Sequence, residues 1–430
     1  MLRVVAVLFT IAACTPEDPA KDTSVAGWVD PFDAEQADRV LAMSPLPPPP
    51  PDPTNAWADD ADAAHLGQWL FFDQRFSSNG RVSCATCHLP EEGWADARAL
   101  SEGVGETARH ANTVWNTAYN RWMFWDGRSD SHWAQALAPI EDGNEHGFDR
   151  LAAAHLITTD PELSAAFEAV FGEPGDFSDP ERFPANGRPT VDPADPQGIA
   201  WAGMATDDQD AVNLLWSHVG KAIAAFERTI VTRHAPIDDL VDAYRAGDVA
   251  ALEAADPAVI EGLQIFTGRG NCHFCHLGPN FTNGEFHSIG LGERAWLDPG
   301  DRGRFDGIPK VLADPFNGTG PFSDDPVAGA EKLQHLAQTA ETMGQFKVPT
   351  LRNVATRKRF MHGGQFETLE DVVGYYSAVD ETPTWGHREE FMEPLDLTEA
   401  EVASVVAFLN ALTGDDTADI PTLAPASPIP

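Results

Sequence analysis

Two five-residue stretches carry the most recognisable chemistry in this chain, Cys84-Ala85-Thr86-Cys87-His88 and Cys272-His273-Phe274-Cys275-His276. Each sets two thiols three positions apart with an imidazole directly after the second, the Cys-x-x-Cys-His spacing of covalent c-type haem attachment. On one helical turn the two sulfurs reach the two vinyl groups of a porphyrin, and the His that follows falls beneath the iron as its proximal ligand. One copy would also suit a redox dithiol or half of a zinc site. Two copies, each ending in His, point to two covalently bound haem c groups. Cys84, Cys87, Cys272 and Cys275 are then the attachment points, and His88 and His276 the iron ligands.

The chain has five cysteines. The fifth, Cys14, closes a run in which a basic start, Met1-Leu2-Arg3, leads through a short apolar segment to Ile11-Ala12-Ala13-Cys14. This reads as a lipoprotein signal over residues 1–14, with lipid on Cys14 of the mature protein. The apolar run is too short to span a bilayer. An ordinary cleaved secretion signal with a leftover Cys is the other reading, and either one puts the haems outside the cytoplasm. The expected location is periplasmic, anchored to the membrane by lipid.

With 430 residues and 43% hydrophobic content, the chain is long enough for two cores. The formal charge is -39, from 67 acidic and 28 basic residues. That excludes nucleic-acid binding and points to solubility or to a basic partner.

The elements that must position the two motifs follow from pattern. Residues 15–55 are polar and Pro-rich, with Pro45 and then Pro47 to Pro51, and read as an extended tether. From Ala61 onward Leu66, Leu70 and Phe71 mark a helix leading into the first motif. A helix is predicted over Ser129 to Leu137, followed by a turn at Gly143-Asn144-Glu145-His146-Gly147. Residues 173–210 hold Pro and Asp clusters and read as a surface insertion. Leu215, Val219, Ile223, Phe226 and Ile230 recur at helical spacing, which predicts a helix over Asn213 to Arg233. Ala258 to Phe266 delivers the second motif, and Thr398 to Glu401 caps a last helix with Val402, Val405, Val406 and Leu409 on its apolar face. No strand pattern of any length competes. The expected fold is mainly α, as two cytochrome c-like domains with long loops, over residues 56–210 and 211–415, before a disordered tail over 416–430.

Several further runs carry a resemblance. They are Leu70-Phe71-Phe72-Asp73, Phe124-Trp125-Asp126-Gly127-Arg128, Gln135 with Pro139 and Glu145, Ala224-Ala225-Phe226-Glu227-Arg228-Thr229, and Phe346-Lys347-Val348-Pro349-Thr350-Leu351-Arg352-Asn353. Together with both haem motifs, from about Asn55 to Gly414, the chain resembles the bacterial dihaem cytochrome c peroxidase superfamily. Its wording is most similar to the MauG/MbnH-type enzymes.

The resemblance implies that peroxide reacts at the first haem and that the second relays electrons. It makes Glu145 the distal acid, Gln135 its neighbour, and Trp125 the tryptophan between the haems. Arg128 and Arg352 become partners for haem propionates. Where ordinary members carry a Gly-His-Gly loop that closes the first iron, this chain reads Ser101-Glu102-Gly103, which implies an open iron at rest. His110 is the rival ligand. For the sixth ligand of the second iron the matching position is Tyr376, the MauG-type choice, with Met361 and Tyr375 as rivals. A phenolate stabilises high oxidation states, whereas a thioether favours ferrous iron.

Calcium between the haems is left open by the same comparison. The expected Asn position reads His110, with Asn112 close, and the carbonyl segment is Arg357-Lys358-Arg359, three cations that oppose a divalent ion.

Three functions are implied. The first is a MauG/MbnH-like oxidase in which hydrogen peroxide raises haem to a high-valent state that oxidises a Trp or Tyr of a secreted partner protein. The second is a cytochrome c peroxidase that reduces peroxide to water with electrons from a small cytochrome or copper protein. The third is a dihaem electron-transfer protein without peroxide chemistry.

Overall fold

A computed structural model describes residues 29–430. Cys14 and the signal-like run lie outside the described residues. Among the described residues no helix is long and apolar enough to cross a membrane.

The fold is mainly helical, and its only sheet among the described residues is a two-residue antiparallel pair, Phe286–His287 with Phe346–Lys347. Two hydrophobic cores are built on the same plan. In the first, the helix Ala61–Phe72 precedes Cys84 and crosses the long helix Thr206–Glu227. In the second, Pro257–Thr267 precedes Cys272 and crosses Glu399–Asn410.

At each crossing a glycine brings the two backbones into contact. A methyl group on Gly67 would collide with the Ala222 carbonyl, and one on Gly262 would collide with the Ser404 carbonyl. Helix ends are fixed locally. Asp60, Ser131 and Thr398 accept hydrogen bonds from first-turn amides, and Glu401 completes a capping box with Thr398.

Several sequence-based expectations are corrected. The helix expected over Asn213 to Arg233, at the start of the second domain, packs in the first core, which takes Val212, Leu215, Trp216, Val219, Ile223 and Phe226 from it. The first core therefore runs past residue 210, and it also takes Phe316 from the second half of the chain. The tether is not free over its described part. Phe32, Val40 and Met43 are buried in the second core, while Arg39 donates to the Thr267 carbonyl at 2.6 Å. Pro47 and Pro50 accept hydrogen bonds from Tyr119 and Arg228. Prolines dominated the composition there and masked a few apolar anchors.

Residues 173–210 likewise bury Phe177, Phe183 and Trp201 in the first core. The tail over 416–430 lies along the first helix pair, where Gln68 donates to the Leu423 carbonyl at 2.6 Å and His65 Nε2 lies 2.9 Å from the Ser427 carbonyl.

The glycine crossings generate a first test. Gly67→Ala is expected to destabilise the holoprotein by about 1–3 kcal/mol, because the added methyl forces two packed helices apart. Thermal unfolding checks this, with Gly143→Ala, where a methyl meets nothing, as the neutral control.

Candidate functional site: two cavities sharing one wall

The first motif sits on a single helical turn, Cys84–Cys87, with Ser83 at its N-cap. The Ser83 amide donates to Thr86 Oγ1 at 3.0 Å, and the His88 amide donates to the Cys84 carbonyl at 3.0 Å. The second motif forms a 3₁₀ turn, and there too the His276 amide closes on the Cys272 carbonyl, at 2.9 Å.

Both imidazoles are oriented in the same way. His88 Nδ1 lies 3.2 Å from the Trp94 carbonyl, and His276 Nδ1 lies 3.0 Å from the Phe281 carbonyl. A proton on Nδ1 is held by that carbonyl, which leaves Nε2 with a free lone pair for a metal. Burial depresses the His276 imidazole to about 4 and keeps it neutral, as a ligand must be. Burial also pushes the Cys87, Cys272 and Cys275 thiols up to about 12, 12 and 11, and raises Cys84 further. Two cysteines on one turn, followed by an imidazole held through Nδ1, are the donor set that would hold a thioether-linked haem at each motif.

Each motif opens on its own cavity. Cys87 and His88 line the first together with Gln135, Pro139, Glu145, Arg128 and His110. Gln135 and Pro139 stand one turn apart on the helix His132–Glu141, so they share a face. After that helix the chain folds back, and the His146 amide donates to the Pro139 carbonyl at 3.2 Å, which aims Glu145 into the cavity. Glu145 keeps part of its surface open to the cavity, yet burial raises its carboxyl to about 7, opposed by Arg128 and assisted by Asp142.

The segment from Ser101 to Gly105 is held by its backbone. Val104 and Gly105 amides donate to the Glu145 and Asn144 carbonyls at 2.8 and 2.9 Å, and Gly103 packs so closely on Glu145 that a side chain there would collide with it. The exposed Glu102 pairs with Arg98.

His110 is buried in the same lining. Its Nδ1 lies 2.9 Å from the Arg98 carbonyl and 3.4 Å from Asp96, while its Nε2 has no partner. Its backbone binds both neighbours across the wall, since its amide donates to the His362 carbonyl at 2.9 Å and its carbonyl accepts the Trp125 indole at 2.9 Å.

Cys272, Cys275 and His276 line the second cavity with Tyr376, Met361, His362, Arg357 and many aliphatic side chains. The helix Leu369–Ala378 separates the two tyrosines. Tyr376 faces the cavity, and burial keeps its phenol neutral, so a cation on that oxygen is what would displace the proton. Tyr375 turns away and donates to the Ile289 carbonyl at 2.6 Å.

Trp125 and Lys347 each line both cavities. The Lys347 amide donates to the Trp125 carbonyl at 2.7 Å, joining the short strand pair to the Trp125 segment.

Of the two arginines expected to meet propionates, Arg352 is bonded elsewhere. Arg352 lines neither cavity. Its guanidinium grips Asp238 with two hydrogen bonds of 2.8 Å and donates to the Pro279 carbonyl at 2.6 Å. Arg128 does line the first cavity, sharing Asp126 with Arg109 and stacking 3.5 Å from the Phe124 ring centroid.

Four lining residues were given no side-chain role from the sequence, namely Lys347, Arg357, His362 and Glu227, whose carboxylate lies 2.5 Å from His132 Nε2. The available signal was charge inside otherwise apolar runs, Phe346-Lys347-Val348 and Ala225-Phe226-Glu227.

Comparison with known proteins agrees with this geometry. The sequence model of the family described as di-haem cytochrome c peroxidase matches residues 61–246. The cytochrome-c peroxidase IdrP1 of Denitromonas iodatirespirans is 30% identical over 387 residues, covering 86% of each chain. The methylamine utilization protein MauG of Methylorubrum extorquens is 30% identical over 356 residues, covering 82% of this chain and 78% of its own. Among solved structures, a MauG-like protein associated with microbial copper homeostasis superposes with a TM-score of 0.58 at 24% identity, covering 88% of this chain and 97% of that one. The diheme peroxidase BthA from Burkholderia thailandensis superposes with a TM-score of 0.58 at 22% identity, covering 90% and 92%. These two likenesses concern the fold.

The second cavity generates its own test. Tyr376→Phe is expected to change the low-spin component of the visible spectrum, whereas Tyr375→Phe leaves it unchanged. A spectrum lost on Met361→Leu and kept in Tyr376→Phe would assign the position to the methionine instead.

Proposed function

This chain belongs to the di-haem cytochrome c peroxidase family and carries two haem c groups, and from that premise we propose that it is a periplasmic, MauG/MbnH-like oxidase. Its substrates are then hydrogen peroxide and a Trp or Tyr side chain of a secreted partner protein. The haem irons supply the site for peroxide and the store for two oxidising equivalents. The rest belongs to the chain.

Glu145 takes the proton from one peroxide oxygen and returns it to the other. For this role a carboxyl raised to about 7 is well placed, being near the operating pH. Gln135 and Arg128 share its cavity and orient polar groups there. The Ser101-Glu102-Gly103 segment offers no imidazole, and its backbone bonds to Asn144 and Glu145 hold it in place. His110 belongs to the wall between the cavities, tied by its backbone to Trp125 and His362. Tyr376 serves the second iron and Trp125 the passage of charge between the two.

The observation that carries this reading is the meeting of the two unlike cavities at Trp125. One holds a proton-transfer carboxyl and the other a tyrosine, and that indole lines both. A cytochrome c peroxidase is the second reading, favoured by Met361, which lines the same cavity as Tyr376. Rapid consumption of peroxide by a ferrous cytochrome, with no attack on protein side chains, would select it.

The pH dependence tests the role of Glu145. Its carboxyl is neutral below about 7 and a base above, so the second-order rate with peroxide is expected to rise through that pH and level off. Glu145→Gln is expected to slow the reaction by roughly 10²–10⁴-fold and to abolish the inflection. Stopped-flow spectroscopy reads both, and an inflection that survives in the variant would remove Glu145 from the chemistry.

A further inference from the structure

Lys347 and Arg357 are 6% and 8% exposed, and neither side chain has a hydrogen bond or ion pair to any other described residue. Buried cations of this kind are costly unless an anion joins them. Glu145, Asp142, Asp298 and Glu393 each line a cavity with one or both cations and pair with neither, and other acids of the region are committed elsewhere. Asp126 is shared by Arg109 and Arg128, and Asp301 is gripped by Arg109. Glu227 bonds His132, and Glu389 bonds His287. Arg352 is the contrast, a buried arginine fully matched by Asp238.

Burial lowers Lys347 to about 8, with Arg357 adding to the effect, and lowers Arg357 to about 10. Both side chains line the second cavity, and Lys347 also lines the first. A pair of unmatched cations opening on cavities that hold haem calls for anions carried by the haem.

We propose that Lys347 and Arg357 form one carboxylate-binding centre common to both cavities, Lys347 serving propionates of both haems and Arg357 a propionate of the second. The same centre makes a divalent cation between the haems unnecessary. Two unmatched cations lining these cavities oppose a further positive ion there. Repulsion between like charges is strongest where water is excluded. The inference rests on both cavities holding haem, which the visible spectrum establishes before any variant is compared. It needs neither peroxide nor a protein substrate.

The test is a spectroelectrochemical titration of the ferric holoprotein and its variants. Removing a cation near a haem favours the more positive ferric state and lowers the midpoint potential. Lys347→Met is expected to lower the midpoints of both haems, and Lys347→Arg to restore both toward the parent values. Arg357→Gln is expected to lower the second midpoint more than the first, which keeps the proposal testable should Lys347→Met fail to fold. Treatment of the unaltered protein with EGTA is expected to leave both potentials and the spectrum unchanged, with no calcium released. Midpoints indifferent to the charge at residue 347, or potentials that fall with EGTA and recover with calcium, would overturn the proposal.

Discussion

The hydrogen bond from the Lys347 amide to the Trp125 carbonyl, 2.7 Å long, fixes the wall on which both cavities are built. One partner belongs to the segment that follows the first haem motif, and the other to a strand that pairs with Phe286–His287 just beyond the second. Because the bond is made by backbone atoms, both side chains are left to line the cavities. An aromatic ring and an ammonium group therefore line both cavities. The indole is held in turn by the His110 carbonyl, and the His362 ring stacks on Phe346 with centroids 3.6 Å apart. Movement of any one of these would disturb the passage between the cavities.

Around this wall the buried charges fall into two groups. Structural ones are matched within the chain, as in Arg352 with Asp238 and in the pairing of Asp126 with Arg109 and Arg128. Asp126 is held well below the usual carboxylate range by those two arginines, against the opposing effect of burial. Glu145, Lys347 and Arg357 line the cavities and have no ion pair. Glu145 is raised toward neutrality, and Lys347 and Arg357 are left without an acid. Perturbed and unmatched groups concentrated at cavities are the physical signature of a functional site. A wall held by paired charges and backbone bonds can keep such groups in place at a cost to stability that the two packed cores sustain.

The haem motifs were fully legible in the sequence because their spacing is dictated by the porphyrin. The helices of both cores were legible because their apolar periodicity is regular, although Thr206–Glu227 begins earlier than the periodicity suggested. Glu145, Gln135 and Pro139 were singled out by the family resemblance, and all three line one cavity with His88. The Asp238 partner of Arg352 was not legible, because an arginine fork suits any carboxylate and nothing local to it tells Asp238 from a propionate. Lys347 was hidden inside an apolar run, since only the fold reveals that no acid pairs with it. The Pro-rich stretch was misread because composition reports the many residues and not the few, Phe32, Val40 and Met43, that anchor it.

The coupling of the two haems through this wall is most directly measured by adding one equivalent of hydrogen peroxide to the ferric protein and following both haem spectra by rapid mixing. If Trp125 joins the two centres, both spectra change in a single phase, and in Trp125→Phe the change at the second haem lags behind the first. A change confined to the first haem of the unaltered protein, or one that Trp125→Phe leaves untouched, would contradict the account.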